Sequence, residues 1–593
     1  MEHAVIAPVV LPLMLGSLLV LMERRDATHR SRWVPALSLA GMLGLVALAV
    51  YLVGLAAESN RPLPYLVGNW AAPFGIVLVL DRLTALMLLL AALVATAALV
   101  YSLGGDAKRG PHFHSLMQFQ LMGLNGAFLT GDLFNLFVFF EVLLIASYGL
   151  LLHGAGTARL KASVHYVTFN LAGSALFLIA VSLLYALTGT LNMADLAERL
   201  PRLPPDRTLL VQSAALMLLV VFGVKAAMLP LFFWLPATYG AASAPVAALF
   251  AIMTKVGVYS ILRVTTLVFG TAAGAGGVGA GATVMVASPW LEALALATLA
   301  LGAVGALAAR HLRIVVGNLV VASAGTLILA VAIARPDTVA AGLVYLVNTT
   351  FATAALFLLA DRLRQARQAQ QGRRGDAGDD ALVPAALGAA RLPLGALFFV
   401  LAVAAAGLPP MAGFIGKALL LQAVGLTAWG GAVVAVVLAS ALLIMVALSL
   451  NGSTLFWRPE AAGATAGATA DTTAGATAAM PPAGCRAQAA PAAIGPEDCL
   501  PSCAAHRLAL ALLVALLVAA ALFAGPLTRY AAGTAAQLFT PQLYRQAVLS
   551  ARPAPPAWDV RREKRERERE GEGERGRHRE RAGDQPAAPG GKP

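Results

Sequence analysis

Apolar runs of 18 or more residues recur along most of this chain, and no other feature limits its fold so sharply. A helix needs about 20 apolar residues to cross the hydrocarbon core of a bilayer. Lipid offers no partner for backbone N–H and C=O groups, so only helices or closed barrels can span it. The alternating strands of a barrel are missing from the pattern. The fold class that follows is an all-α polytopic membrane protein. About fourteen spans fit the runs, near 5–22, 33–55, 77–102, 113–130, 133–153, 163–187, 208–236, 243–269, 289–309, 312–334, 338–360, 392–424, 430–456 and 506–531. Charged residues are 12% of the 593, against roughly 25% in soluble proteins. The length therefore belongs to one membrane domain with appendages.

The basic residues between runs carry topology. Arg24, Arg25, Arg30 and Arg32 follow the first span, Lys108 and Arg109 the third, and Arg159 and Lys161 the fifth. Arg310 and Arg313 follow the ninth, and Arg362, Arg364, Arg367, Arg373 and Arg374 the eleventh. All follow odd-numbered spans, so the positive-inside rule puts these loops in the cytoplasm and the N-terminus outside. The net charge of +13 is thus spread over short loops and one tail, which is no nucleic-acid footprint. The first apolar stretch leads into Glu23, Arg24 and Arg25 rather than a small-residue cleavage site, so no cleavable signal peptide is expected. Cys485, Cys499 and Cys503 share one polar loop without a nearby His pair, a poor metal site. Phosphate-binding, dinucleotide and metalloprotease motifs are absent, so no cofactor is expected, and either ion gradients or a partner must drive any work.

The runs divide the chain into N-terminal helices 1–3 (residues 1–112), helices 4–8 (113–269), helices 9–13 (289–456), an Ala/Gly/Thr-rich loop (457–505), a last span (506–531) and a polar tail (532–593). The loop composition suits a flexible segment, and the Arg/Glu alternation at 561–570 suits a disordered tail. Two spans are interrupted. The seventh holds Pro230 and Pro236, and the twelfth holds Gly407, Pro409, Pro410 and Gly413. Proline removes a backbone donor and clashes with the preceding turn. Membrane helices tolerate such breaks where buried protein or water satisfies the freed groups. The two breaks lie five spans apart, and an odd spacing reverses direction. Helices 4–8 and 9–13 are therefore expected to form two inverted five-helix repeats with a broken helix in each.

Four ionisable residues sit mid-span: Glu141, Lys225, Lys255 and Lys417. A charge there costs at least ~2.5–3.5 kcal/mol, so each must face protein interior or a wet cavity. A low dielectric penalises the charged form of such groups, and the charge on one biases the next. That is the physical basis of a proton relay, with Glu141 and Lys225 as a coupled pair. The competing reading is a salt bridge that only holds helices together, but three lysines and one glutamate cannot all pair off. His165 begins the sixth span and is of a type that titrates near neutral pH. Asn318, Ser323 and Thr326 give the tenth span a polar face, which could line a water path or bond across helices. Asp81, Asp132 and His153 lie near span ends, where water can solvate them.

The run from Val221 to Pro236, continuing to Lys255-Val256-Gly257-Val258-Tyr259, resembles the antiporter-like subunits of respiratory complex I and of Mrp-type cation/proton antiporters. So does the run Gly407 to Lys417. The likeness covers most of residues 1–456. Within it, the D subunits of Mrp (Mnh, Pha) antiporters are most similar, since Phe232-Phe233-Trp234-Leu235-Pro236 stands where complex I subunits show a histidine-bearing version. The resemblance implies a proton-translocating subunit of a Na⁺ or K⁺/H⁺ antiporter in a bacterial inner membrane, serving cation and pH homeostasis. Its partners would be other membrane subunits, protons, Na⁺ or K⁺, and the lipid bilayer. It also implies that Glu141, Lys225, Lys255 and Lys417 form a central hydrophilic axis. The alternative is a membrane subunit of a complex I-like oxidoreductase or hydrogenase. The family often carries a histidine in the tenth span, and Val320-Val321-Ala322-Ser323 has none, so that step is not carried over.

Overall fold

A computed structural model describes residues 2–25, 33–59, 61–269, 288–371, 380–384, 387–425, 430–458 and 499–553. The loop 459–498 with Cys485, the tail from 554 with its Arg/Glu run, and Arg30, Arg32, Arg373 and Arg374 lie outside the described residues.

The described chain is a helical bundle with one small hairpin. Helices α1 (Ala7–Arg25) and α2 (Trp33–Ser59) lead to β1 (Leu63–Leu66) and β2 (Val77–Leu80), which pair antiparallel. Then come α3 (Arg82–Ser102), α4 (Phe113–Leu129), α5 (Leu133–Leu152), α6 (Thr157–Thr188) and the short α7 (Met193–Arg199). The expected seventh span is two pieces, α8 (Thr208–Ala226) and α9 (Trp234–Ala241), followed by α10 (Ala244–Leu267). The second half runs through α11 (Ser288–Ala308), α12 (Leu312–Ala332) and α13 (Pro336–Gln371). The expected twelfth span is again two pieces, α14 (Arg391–Ala406) and α15 (Ala412–Val424), followed by α16 (Gly430–Gly452). Among the described residues 12 helices are long and apolar enough to cross a membrane. The expected first and fourth spans are the shorter α1 and α4.

The bundle sorts by burial. Helices α10 and α13 are enclosed on all sides, and α3 and α12 nearly so, whereas α2, α14 and α16 leave most of their apolar surface outward. A helix apolar all round is one that other helices or lipid surround completely. The enclosed helices carry Lys255 on α10 and the side chains around it.

Both breaks use the same backbone device. Ala227 follows α8 in the left-handed region at φ 54, and Gly407 follows α14 at φ 72. Met228 N–H returns to Gly223 O at 2.9 Å, and Leu408 N–H returns to Val403 O at 3.0 Å. This six-to-one bond closes a helix C-terminus. One glycine then seats each break against a neighbour. A Cβ on Gly257 of α10 would collide with Ala226 N, and one on Gly416 of α15 would lie 2.8 Å from Tyr345 N on α13. Neither crossing leaves room for a side chain.

The expectation of a polar tail from 532 is corrected for the residues up to 553. The last span is α17 (Cys499–Leu522), which continues after a kink as α18 (Ala524–Leu538) and then α19 (Pro541–Leu549). Helices α18 and α19 are too polar for a hydropathy reading to find. They bury one stripe, Ala531, Thr534, Ala535, Leu538, Tyr544 and Val548. The Tyr530 hydroxyl donates to Arg82 O at 2.9 Å and so docks α18 on the start of α3.

Candidate functional site

Helix α6 organises the first half of the site. Its Ser174 hydroxyl donates to Glu141 Oε1, which projects half-buried from α5. One turn earlier, Asn170 Oδ1 accepts a hydrogen bond from Lys225 Nζ at 3.1 Å. Residues four apart share a helix face, so α6 holds the glutamate and the lysine side by side. No direct ion pair joins them among the described residues; the Glu141 charge reaches Lys225 through space. The Phe140 ring lies 5.7 Å from Lys225 Nζ, a cation–π distance. A cavity of about 20 Å³ beside Lys225 is lined by Phe140, Tyr166, Asn170, Trp234 and Tyr239, enough for a water molecule. The break is stabilised from its flanks: Trp234 Nε1 donates to Val224 O at 3.3 Å, and Leu229 N–H donates to Thr298 Oγ1 on α11 at 2.9 Å.

Lys255 stands at the middle of α10 with 0% exposure. Its Nζ donates to Ser323 Oγ on α12 at 3.3 Å. Lys417 lies in the second turn of α15 and donates to Ala406 O, the last carbonyl of α14, at 2.8 Å. Its Nζ faces the Tyr345 ring at 5.7 Å. Asn348, one turn along α13, donates to Ala404 O at 2.9 Å. Among the described residues no carboxylate pairs directly with any of the three lysines. Each instead has neutral oxygen partners, which leave it free to change charge without breaking an ion pair.

Two charge clusters lie at the two ends of α3. At one end Arg263 of α10 pairs with Asp81 at 2.6 Å, both nearly inaccessible, and Arg263 also donates to Thr84 and Tyr259. Asp81 further caps α3 by accepting from Thr84 N–H at 2.8 Å. At the other end Asp361 of α13 takes Arg313 at 2.8 Å, Arg364 at 2.9 Å, the Tyr101 hydroxyl at 2.8 Å and Gln365 at 2.7 Å. Asp106, in the loop after α3, is pushed up to about 6 by burial, with the Asp361 charge adding to it. Burial pulls the His153 imidazole, at the end of α5, below its ordinary value.

The structure thus brings Lys225 beside Glu141 and Lys255 beside Ser323. The Pro230 and Pro409-Pro410 segments are the non-helical stretches between half-helices. Two secondary candidates point elsewhere. His165 lies on the exposed face of α6 with Val164 and Phe169, because Asn170 stands five residues on, about 140° around the helix axis. Asn318 bonds back to Ile314 O at 2.9 Å and packs at Gly305 of α11, away from Lys255. Asp81 is not solvated, as its place at a span end suggests, but ion-paired. Sequence reading missed Asn170, Ser174 and Tyr345. A polar residue every fourth position on α6 was the available signal for the first two.

Residues 130–443 match the family described as NADH:quinone oxidoreductase/Mrp antiporter, TM. The D subunit of a probable K⁺/H⁺ antiporter from Rhizobium meliloti (strain 1021) is 44% identical over 77% of this chain and 87% of its own length. The chain belongs to the NADH:quinone oxidoreductase/Mrp antiporter family. The D subunit of a Na⁺/H⁺ antiporter from Bacillus subtilis (strain 168) is 37% identical over 70% of this chain and 80% of its own. Among solved structures, a chain of the Mrp complex from Dietzia sp. DQ12-45-1b shares 27% identity and superposes with a TM-score of 0.72, covering 92% of this chain and 99% of that one. Both breaks and all four mid-span charges fall inside the segment matched to the family.

Proposed function

We propose that this chain is the D-type, proton-translocating subunit of a multisubunit Na⁺ or K⁺/H⁺ antiporter, a secondary transporter of the cell membrane that works with other membrane subunits. Protons pass along Glu141, Lys225, Lys255 and Lys417. The observation that carries this reading is the wiring of the three lysines. Each is buried near a neutral oxygen partner, while the buried Arg263 and Arg313 are held by carboxylates. A buried charge held for structure alone is normally paired. Glu141 biases Lys225 through α6, and a change of charge at one site shifts the next through the apolar interior. The matching cap geometry of the two breaks supports a division into inverted repeats, helices α4–α10 and α11–α16, with Lys255 at the end of the first. A transmembrane potential supplies ~2.3 kcal/mol per charge per 100 mV, so electrogenic exchange suffices as the drive.

Membrane vesicles carrying the whole complex test the reading. Cation-induced pH change is measured in Glu141→Ala and Lys225→Ala complexes, normalised to assembled complex. Loss of antiport with normal assembly is expected. Unchanged antiport in both sinks the assignment.

A further inference from the structure

A row of hydroxyls lies between Lys255 and Lys417. Lys255 Nζ meets Ser323 Oγ at 3.3 Å. Thr326 follows three residues later on α12, on the same face, and is 1% exposed. The Tyr345 hydroxyl of α13 lies beside Thr326 and Thr349. The ring of the same tyrosine faces Lys417 Nζ at 5.7 Å. Bare Gly416 lets α15 approach α13 at Tyr345 itself. A buried tyrosine that only filled space would do so as well as phenylalanine; this one turns its hydroxyl to the α12 side and its ring to the α15 side.

We propose that Tyr345 is the relay residue between Lys255 and Lys417, with Ser323 and Thr326 as the hydroxyls that lead to it. This rests on the proton path above. The Lys255 ammonium gives a proton to the Ser323 oxygen, and the hydroxyl proton of Ser323 leaves toward Thr326. That hydroxyl now points to Val320 O at 2.7 Å, and rotation of the side chain re-aims it. Thr326 passes its own proton to the Tyr345 oxygen, and Tyr345 gives its original proton to the neutral Lys417 amine. Single waters bridge the gaps longer than a hydrogen bond. Each oxygen forms one O–H bond and breaks one. The net change is one proton moved from Lys255 to Lys417, with no co-reactant.

The test uses vesicles with the intact complex and compares Tyr345→Phe, Thr326→Val, the double variant and Lys255→Leu. Tyr345→Phe keeps the ring, its packing and its contact with Lys417. Its antiport per assembled complex should fall about a hundredfold, the lower end of what a positioned proton-transfer group contributes. The residual rate should slow more in D₂O than the parent rate does, because proton transfer has become limiting. The double variant should be no worse than the poorer single one, since both cut the same route. A parent-like rate in Tyr345→Phe, or a slower rate with an unchanged D₂O effect, overturns the Tyr345 step. Lys255→Leu separates the two ideas: if it loses antiport while Tyr345→Phe does not, the path stands and only the tyrosine step fails. If Lys255→Leu retains antiport, the path itself fails.

Discussion

The two broken helices share a backbone and differ in their wiring. Each incoming half-helix ends on a left-handed residue and the same six-to-one bond. Lys225 lies before its break, on the incoming half-helix, and reaches out to a side chain on α6 that stands one turn from the partner of Glu141. Lys417 lies after its break, on the outgoing half-helix, and folds back onto the carbonyl that the break exposes. At the first break a neutral indole, Trp234, donates to a carbonyl of the closing turn, Val224 O, beside the Ala227 N–H. At the second, a lysine and Asn348 do so. One architecture thus gives a lysine coupled to a carboxylate in one place and a lysine coupled to the backbone in the other.

The largest expected effect comes from the contact that seats the first break. Gly257→Val drives a side chain into Ala226 N and the Lys225 carbonyl carbon. Overpacking of this kind costs ~1–3 kcal/mol or more, and here the clash is with backbone. The yield of assembled complex, measured against Gly44→Ala, which meets open space, should collapse. Parent yield would show that α10 does not hold the break.

Asparagine variants sharpen the comparison next. Asn170→Leu should lower antiport strongly while the complex still assembles, since it strips Lys225 of its oxygen partner. Asn348→Leu should lower thermal stability, because Ala404 O loses one of its two donors and keeps only Gly407 N–H, at a cost of about 0.5–1.5 kcal/mol. The reverse pattern, with Asn170 acting on stability and Asn348 on transport, would break the distinction between the two sites.

The Asp106 loop gives a pH signature. Its carboxyl is pushed up to about 6 from 3.8, so the folded protein binds this proton more tightly than the unfolded chain does. Stability should therefore fall as pH rises from about 4 through about 6 and level off above. Asp106→Asn should flatten that segment of the thermal stability curve. A parent-like slope in the variant would show that Asp106 is not the group behind it.

The smallest effect tests the caps. Ala227 occupies the left-handed region with a side chain, at a cost of about 1 kcal/mol relative to glycine. Ala227→Gly should raise thermal stability slightly, and Gly407→Ala should lower it by at least as much, since its Cβ would also lie 3.0 Å from Lys417 Cδ. Thermal melts of the purified complex decide this, and equal shifts of one sign would contradict the equivalence of the two caps.

Much of the molecule was legible in the sequence, for physical reasons. Lipid enforces helices, so apolar runs locate them, and prolines within runs locate the breaks. The charges were visible because each is expensive in its run. The partners were not. Asn170, Ser174 and Tyr345 are ordinary residues in a membrane helix, and only packing shows which helix they face. His165 shows the same limit in reverse, since its place on the outer face of α6 depends on rotation about the helix axis. Helices α18 and α19 were missed because a half-buried helix is too polar for a hydropathy window.

If the buried lysines carry protons, Lys255 shows it most directly, being fully enclosed with a neutral partner. The decisive measurement is cation-driven proton flux in vesicles bearing Lys255→Leu complexes, normalised to assembled complex. Flux reduced about a hundredfold, the scale of a lost proton-transfer group, is expected at parent levels of assembly. Flux near the parent value in a normally assembled complex would contradict a proton path through the lysines.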